Sequence, residues 1–595
     1  MDALTLSNHT AAGPTPHGFL RSINLSDSKT TARVVILLLP FPFLLHYLIG
    51  LALFHHAHLR PKTNQVPPTL PHLIPLLGSA IPFAFDCANF IRRATQYANT
   101  LVPVRLTLLA SSIFLFQGRR TVAAVWKEPR LGSPILIYTF ALQHVFGMPA
   151  RALAAYRADN SGSHRRPHPA SNVEERNRVD YLTHQILFRA FGGRGLQVAV
   201  ERCVGILGRE LGGVVPPGEE EWVEMGDLGG FVQMVLGTAV LEGLYGPALG
   251  RLSPGFLGDL WAFDRATPKF AKLMPRWLMP EAYRVRGRLL EGIRRWHDYA
   301  RQHFHEAAVG EDGDADPYWG SEMVRSRQKV LMEVDGQDYE ALAAADLGLI
   351  WASVTNVVPS TLMTALHIFR NPSLTTRLRS LLFSSGTVSP TTLKPDLTTL
   401  LHSTPPLLSS IYAETLRLHL QAYVTRSSPH ADVTVGGWTL PRDKVCMVNT
   451  YAAHMDEGVW NTRGGRYPVG KFWEERFLVY PGVPGSGPLR PDIEKGPVKV
   501  EKKEGATKGE PTFSLEGLEG AWIPYGGGYA ACPGRHFAKR IILYTTALLV
   551  GGYDIEILTD RLEMDDSCFG LGTQKPKHEV PFRIRRRKGG EGIVG

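Results

Sequence analysis

Apolar residues along this chain recur mostly at intervals of three and four, the spacing of helices that bury one face. Residues 89–100, NFIRRATQYANT, and 181–193, YLTHQILFRAFGG, both carry it. Over residues 341–369 the pattern predicts one long helix, apolar nearly throughout after Asp346 and therefore buried. Residues 407–420, LLSSIYAETLRLHL, predict another. Alternating patterns are rarer: residues 102–118, the hairpin HADVTVGGWTLP with its neighbour KVCMVNT, and VPFRIRRR near the C-terminus. The chain therefore reads as mainly α with small β-sheets, not as a doubly wound parallel sheet.

Residues 34–54, VVILLLPFPFLLHYLIGLALF, contain no Asp, Glu, Lys or Arg. As a helix at about 1.5 Å per residue they reach about 31 Å, enough to cross a bilayer core. Pro40 and Pro42 are positioned to kink it. The preceding residues 1–33 hold the sequons at Asn8 and Asn24, and basic residues and histidines follow the apolar run. This flank predicts a lumenal N-terminus and a cytosolic body. Residues 55–79 include four prolines within PPTLPHLIP, which predicts a stiff hinge. Residues 80–595 form the globular body, without internal repeats. Three stretches read as loose surface insertions: 156–178, 307–320 and 481–519, the last expected to be disordered.

The net charge of +10 over 595 residues changes this picture little. The basic residues are spread along the chain rather than gathered in one stripe, which argues against nucleic acid and for an acidic partner or anionic membrane. The five cysteines, Cys87, Cys203, Cys446, Cys532 and Cys568, form no CxxC pair, so no disulfide scaffold or zinc site is indicated.

Cys532 stands apart, within IPYGGGYAACPGRHFAKR at residues 523–540. Gly526, Gly527 and Gly528 permit a sharp bend and close approach of a flat ligand. Pro533 suits the first position of a helix, placing the cysteine where the helix dipole favours a thiolate. A haem ligand, a nucleophile and a small structural residue are the three readings, and the loop favours the first.

The spacing Tyr525, Gly528, Cys532, Gly534 resembles the haem-binding signature of the cytochrome P450 superfamily, with Tyr525 in place of the usual phenylalanine. Glu414 and Arg417 in ETLR, and Arg476 in FWEERF, resemble the family's structural triad, and HMDEGVW resembles the segment between them. The resemblance implies one haem domain behind a membrane anchor, haem b with Cys532 as axial iron ligand, and a pocket braced by Glu414, Arg417 and Arg476. It implies electrons from NADPH through NADPH–cytochrome P450 reductase, with cytochrome b5 as a further partner. A hydrophobic small-molecule substrate, membrane lipid and a single-pass location in the endoplasmic reticulum follow from the same likeness. Arg426 matches a propionate-binding arginine, whereas Ala530 stands where relatives carry a cation. WKEPR at residues 126–130 mimics a second propionate motif and is read as coincidence.

The pattern departs from the family in the long helix. WASVTNVVPS, residues 351–360, places Asn356 at the acid position and Val357 at the alcohol position of the usual proton-delivering pair, with Thr361 one turn later as the nearest hydroxyl. Asn356 is expected to hold water or satisfy an irregular helix carbonyl. WASxxN and the C-terminal FGLGTQKPKHEVPFRIR resemble the branch of sterol 7α-hydroxylases, sterol 12α-hydroxylases and prostacyclin synthase. The sequence thus predicts a haem-thiolate monooxygenase acting on a sterol, terpenoid or other polycyclic lipid. An oxygen-independent isomerase or dehydratase of a peroxide, and a non-catalytic haem-binding membrane protein, are the alternatives.

Overall fold

The computed structural model describes residues 40–59, 64–98, 100–109, 111–215, 221–493 and 509–588. The sequons and residues 34–39 lie outside them. Helix α1 (Phe41–Leu59) begins after Pro40, with Pro42 in its first turn, where the missing N–H breaks no helical bond. It runs five residues beyond the expected end at residue 54. Phe41, Leu44, Leu45, Leu48, Ile49 and Leu53 are exposed along it. The Pro-rich segment that follows is fixed by backbone bonds, Leu70 N to Arg105 O and Ser79 N to Thr107 O.

The body is helical around one large apolar core, with a five-stranded sheet to one side. Strands β1 (Val104–Leu108), β2 (Ser111–Leu115), β3 (Leu420–Ser427), β4 (Val445–Asn449) and β5 (Leu571–Thr573) lie in the order β5-β3-β4-β2-β1. Only the β2–β4 pairing is parallel. Three further strands, Tyr553–Ile557, Phe582–Arg586 and Val223–Met225, make a second antiparallel sheet.

The helices that frame the site are α2 (Arg119–Lys127), α3 (Val179–Ala190), α4 (Phe256–Ala271), α5 (Tyr339–Val354), α6 (Val357–Phe369), α7 (Pro406–His419) and α8 (Arg535–Gly552). Asp338 starts α5 by accepting from Ala341 N at 2.8 Å. The long helix expected over 341–369 is broken: α5 ends at Val354 and α6 begins at Val357. Pro359 has no N–H to return to the carbonyl of Thr355, and the chain bends there.

Two of the expected insertions are built into the fold. In 156–178, Arg178 is buried and donates to Ser161 Oγ at 3.2 Å, Arg165 O at 2.9 Å and His164 O at 2.5 Å. In 307–320, Asp316 accepts from the backbone of Tyr318 and Trp319, and Trp319 is buried. Both are ordered by polar side chains closing turns, which an apolar pattern does not register. In 481–519, Leu489 and Leu518 are buried and Thr512–Phe513 pairs with Leu478–Val479; residues 494–508 lie outside the described residues.

Candidate haem-binding site

The centre of the site is a buried charge cluster beneath the cysteine loop. Glu414 and Arg417 sit one turn apart on α7, and Arg417 donates to both carboxylate oxygens at 2.7 and 2.9 Å. Arg476 Nε reaches the same carboxylate at 3.0 and 3.1 Å. All three side chains are fully buried. Their remaining donors are spent on carbonyls: Arg417 on His454 O and Val469 O, Arg476 on Asn461 O, Pro468 O and Lys471 O. Burial pushes the Glu414 carboxyl up, but the two guanidinium groups outweigh it and hold it below its ordinary range. Such satisfaction is what a buried cluster needs to offset desolvation.

The cluster is tied to the cysteine loop by three bonds. Trp522 Nε1 donates to Ala413 O at 3.1 Å, Ile523 N donates to His454 Nε2 at 3.1 Å, and the hydroxyls of Tyr525 and Tyr412 lie 2.7 Å apart. Tyr525 therefore has the partner its hydroxyl requires. His454 accepts a backbone N–H with a ring that burial, aided by Arg417, holds neutral, its pKa depressed to about 3.

Cys532 N closes the loop on Tyr525 O at 3.0 Å. Helix α8 starts at Arg535 rather than at Pro533, so Pro533 precedes the helix. The backbone N–H groups of Gly534 and Arg535 point at the sulfur, yet burial dominates and the thiol is raised in pKa. The helix start alone does not hold a thiolate there; a bound cation would complete it. Cys532 nevertheless has exposed surface.

The glycines serve a different contact from the one expected. A Cβ on Gly527 would meet the indole of Trp126 at 2.6 Å, and one on Gly528 would meet Trp126 O at 2.4 Å. They admit helix α2 at close approach. Trp126 of WKEPR therefore belongs to the site, whereas Arg130 pairs with Glu128 nearby. Gly534 does leave room beside the sulfur: its Cβ would lie 4.0 Å from Cys532 Sγ.

Arg426 on β3 is buried and donates to Thr425 O, Gly527 O and Ala530 O at 2.7–3.0 Å. It lies 5.1 Å over the Trp126 ring, and burial lowers its pKa to about 10. Together with Trp126, His164 and Gly527–Ala530 it lines a cavity of about 150 Å³. Trp126 Nε1, His164 Nε2 and, beside Tyr529, His184 Nε2 are buried with no partner. Burial lowers the His184 pKa to about 4. An accessible thiol with unpartnered N–H groups and a guanidinium to one side is a donor set that fits a metalloporphyrin with carboxylate arms. His164 and His184 carry no motif signal; His164 lies in a stretch that reads as a loose loop.

On α5, Ala352 is exposed in mid-helix between buried Ile350 and Val354. Asn356, four residues on, is partly exposed; Val357 and Thr361 are buried. Thr361 Oγ1 is spent on Val357 O at 2.9 Å. The structure thus sets Asn356, not Val357, beside Ala352, and removes Thr361 from the accessible face. Asn356 Oδ1 accepts from Thr573 N at 3.1 Å, so its partner is a strand rather than a helix carbonyl. That bond orients the amide, and Asn356 Nδ2 has no partner among the described residues.

The family model described as Cytochrome P450 matches residues 330–582. The cytochrome P450 monooxygenase fsoE of Humicola fuscoatra is 35% identical over 538 residues, covering 89% of each chain. The 25-hydroxycholesterol 7-alpha-hydroxylase of Rattus norvegicus is 24% identical over 45% of this chain and 59% of its own length. The solved structure of retinoic acid bound cyanobacterial CYP120A1 superposes with a TM-score of 0.57 at 15% identity, covering 88% of this chain and all of that one. The chain belongs to the cytochrome P450 family and is a haem-thiolate monooxygenase acting on a hydrophobic substrate. It is also similar to the sterol hydroxylase branch, as the 7-alpha-hydroxylase shows.

Proposed function

We propose that this chain oxidises a sterol, terpenoid or other polycyclic lipid with O2, using electrons passed from NADPH by a membrane reductase. The observation that carries the reading is the Cys532 loop, fastened through Tyr525, Trp522 and Ile523 to α7, α7's buried Glu414–Arg417–Arg476 cluster and His454. Haem b bound through Cys532 would supply oxygen activation and electron uptake.

The protein residues position and enclose. Arg426, Trp126, His164 and His184 would hold the carboxylate arms, doing the work that Ala530 cannot. Glu414, Arg417 and Arg476 keep the cysteine loop in register and take no part in proton transfer. Ala352, small and exposed on α5, would leave room for the substrate. Asn356, fixed by Thr573, would offer an N–H donor to an oxygen atom there; an amide orients such an atom but supplies no proton of its own.

Residues 80–595 act as one catalytic body, behind α1 as a single anchor in the endoplasmic reticulum. Support comes from exposed Leu73, Ile74, Leu76, Ile81 and Phe85 after α1, and from Leu273, Trp277 and Leu278 after α4. The charge of Lys272 is felt at Cys87, so the two stretches are neighbours. They would rest on lipid, with the basic surface meeting an acidic reductase or cytochrome b5. The test is incubation of membranes carrying the full chain with candidate lipids, NADPH and O2. Product that forms without NADPH or O2 would overturn the reading.

A further inference from the structure

A buried ion pair stands beside α5, and the chemistry above gives it no role, although Lys575 lies within FGLGTQKPKHEVPFRIR and the neighbouring Trp351 opens WASxxN. Asp264 on α4 lies 5% exposed. Its Oδ1 accepts from Trp351 Nε1 at 2.8 Å, and its Oδ2 pairs with Lys575 Nζ. Lys575 follows β5, and its ammonium also lies 5.5 Å over the Trp261 ring. Three separate elements, α4, α5 and the C-terminal segment, meet at this carboxylate.

These side chains line a cleft together with Thr267, Thr355 and Thr573. Trp351 and Thr355 lie on the bend that carries Ala352 and Asn356, about 100° around the helix axis from them. Gly572 of the same lining lies against Asn356, so the cleft reaches the part of the bend that carries the Asn356 amide. Its hydroxyls are already committed: Thr267 to Phe263 O at 3.0 Å, Thr355 to Trp351 O at 2.8 Å, Thr573 to Asn356 O at 3.3 Å. Trp351 Nε1 is committed to Asp264. An ammonium has three donors, and Lys575 has one hydrogen-bond partner among the described residues. It is the strong donor left over in an otherwise spent lining.

We infer that Lys575, braced by Asp264, is a recognition point for a neutral oxygen function on the substrate, a hydroxyl or ketone remote from the carbon that is oxidised. A hydroxyl fits best, because it can accept from Lys575 while donating to a free lone pair of Asp264. A carboxylate fits poorly, because the ammonium is already neutralised and Asp264 would repel it. This rests on the monooxygenase reading and adds the polar end of the substrate to it.

The experiment uses full-chain protein in membranes and three series of N-alkylimidazoles of graded chain length, ending in methyl, hydroxyl or carboxylate. The imidazole binds the iron and is read by the shift of the Soret band, so the tail reports on the cleft whatever the natural skeleton. At the best length the hydroxyl tail should bind about tenfold more tightly than the methyl tail, with the carboxylate tail weakest. In Lys575→Met that ratio should fall to about one. In Asp264→Asn the ammonium is released, and the carboxylate tail should gain about tenfold relative to the hydroxyl tail. A merely structural ion pair would not invert selectivity. Variants are compared only in preparations that keep the reduced carbon monoxide band. Equal affinity for the three tails, or a hydroxyl preference that survives Lys575→Met, overturns the recognition point alone. Membranes carrying the unaltered chain that show no Soret band and no reduced carbon monoxide band overturn the haem reading beneath it.

Discussion

The hydroxyl of Tyr525, in the cysteine loop, meets the hydroxyl of Tyr412, on α7, at 2.7 Å inside the protein. Two buried phenols thereby satisfy each other, and the loop that carries Cys532 is locked to the helix that carries Glu414 and Arg417. Removing one hydroxyl leaves the other without a partner, which costs about 1–3 kcal/mol. Tyr525→Phe and Tyr412→Phe should each lower the urea midpoint and speed haem loss, while the double variant should recover most of the difference. A double variant as poor as the sum of the singles would show that the hydroxyls do not interact.

The cavity beside Arg426 gives a second prediction. His164→Phe and His184→Phe should each accelerate transfer of haem to apomyoglobin by about tenfold, as expected for losing one hydrogen bond to a charged group. The thiolate signature of the reduced carbon monoxide complex should persist, since Cys532 is untouched. Unchanged transfer rates in both variants would assign the carboxylate arms to other residues.

Asn356 and Gly572 should share a phenotype. A Cβ on Gly572 would lie 2.3 Å from Asn356 Oδ1, so Gly572→Ala must displace β5 from the amide. Asn356→Ala removes the acceptor of Thr573 N from the other side. Both should lower the fraction of NADPH consumption that ends in product, with more peroxide released. Thr361→Ala should change that fraction little, because its hydroxyl only closes onto its own helix. A larger effect for Thr361→Ala than for Asn356→Ala would reverse this assignment.

Buried histidines set the acid limit of stability. Burial depresses His454 to about 3 and His419 to about 4, and holds His367, which contacts His419 at 2.8 Å, well below its ordinary value. All are neutral in the fold, whereas the unfolded chain takes up protons below about pH 6.5. The unfolded state then binds more protons, so stability must fall as pH drops from about 6.5 toward 4, by about 1.4 kcal/mol per pH unit for each histidine. Urea midpoints across that window should show the decline, and His419→Gln should flatten it. A midpoint that is level over the window would contradict the neutral assignments.

Much of this was legible in the residues. The β character around residues 104–115, the hairpin at 433–440, the helix at 406–419 and the strand at 582–586 follow from periodicity, because each buries one face. The triad and the cysteine loop follow from motifs whose parts must touch. The break at Thr355–Asn356 was not legible as a break, since an apolar run is equally consistent with one helix or two. The segment holding His164 reads as a loose loop because its order comes from polar turns, Asp159 accepting from Ser161 and Arg178 donating to Ser161, His164 and Arg165. The glycines announced a close approach but not which partner makes it: Trp126 from α2, brought there by tertiary folding. Asp264 and Lys575 lie 311 residues apart and meet only in space.

The central claim is that Cys532, held by this loop, is the thiolate ligand of a haem. The direct measurement is the reduced carbon monoxide difference spectrum of membranes carrying the full chain, beside membranes carrying Cys532→Ser with equal amounts of folded protein. The expected result is the red-shifted Soret band of thiolate ligation in the first and its loss in the second. Retention of that band by Cys532→Ser, or its absence from both, would contradict the account.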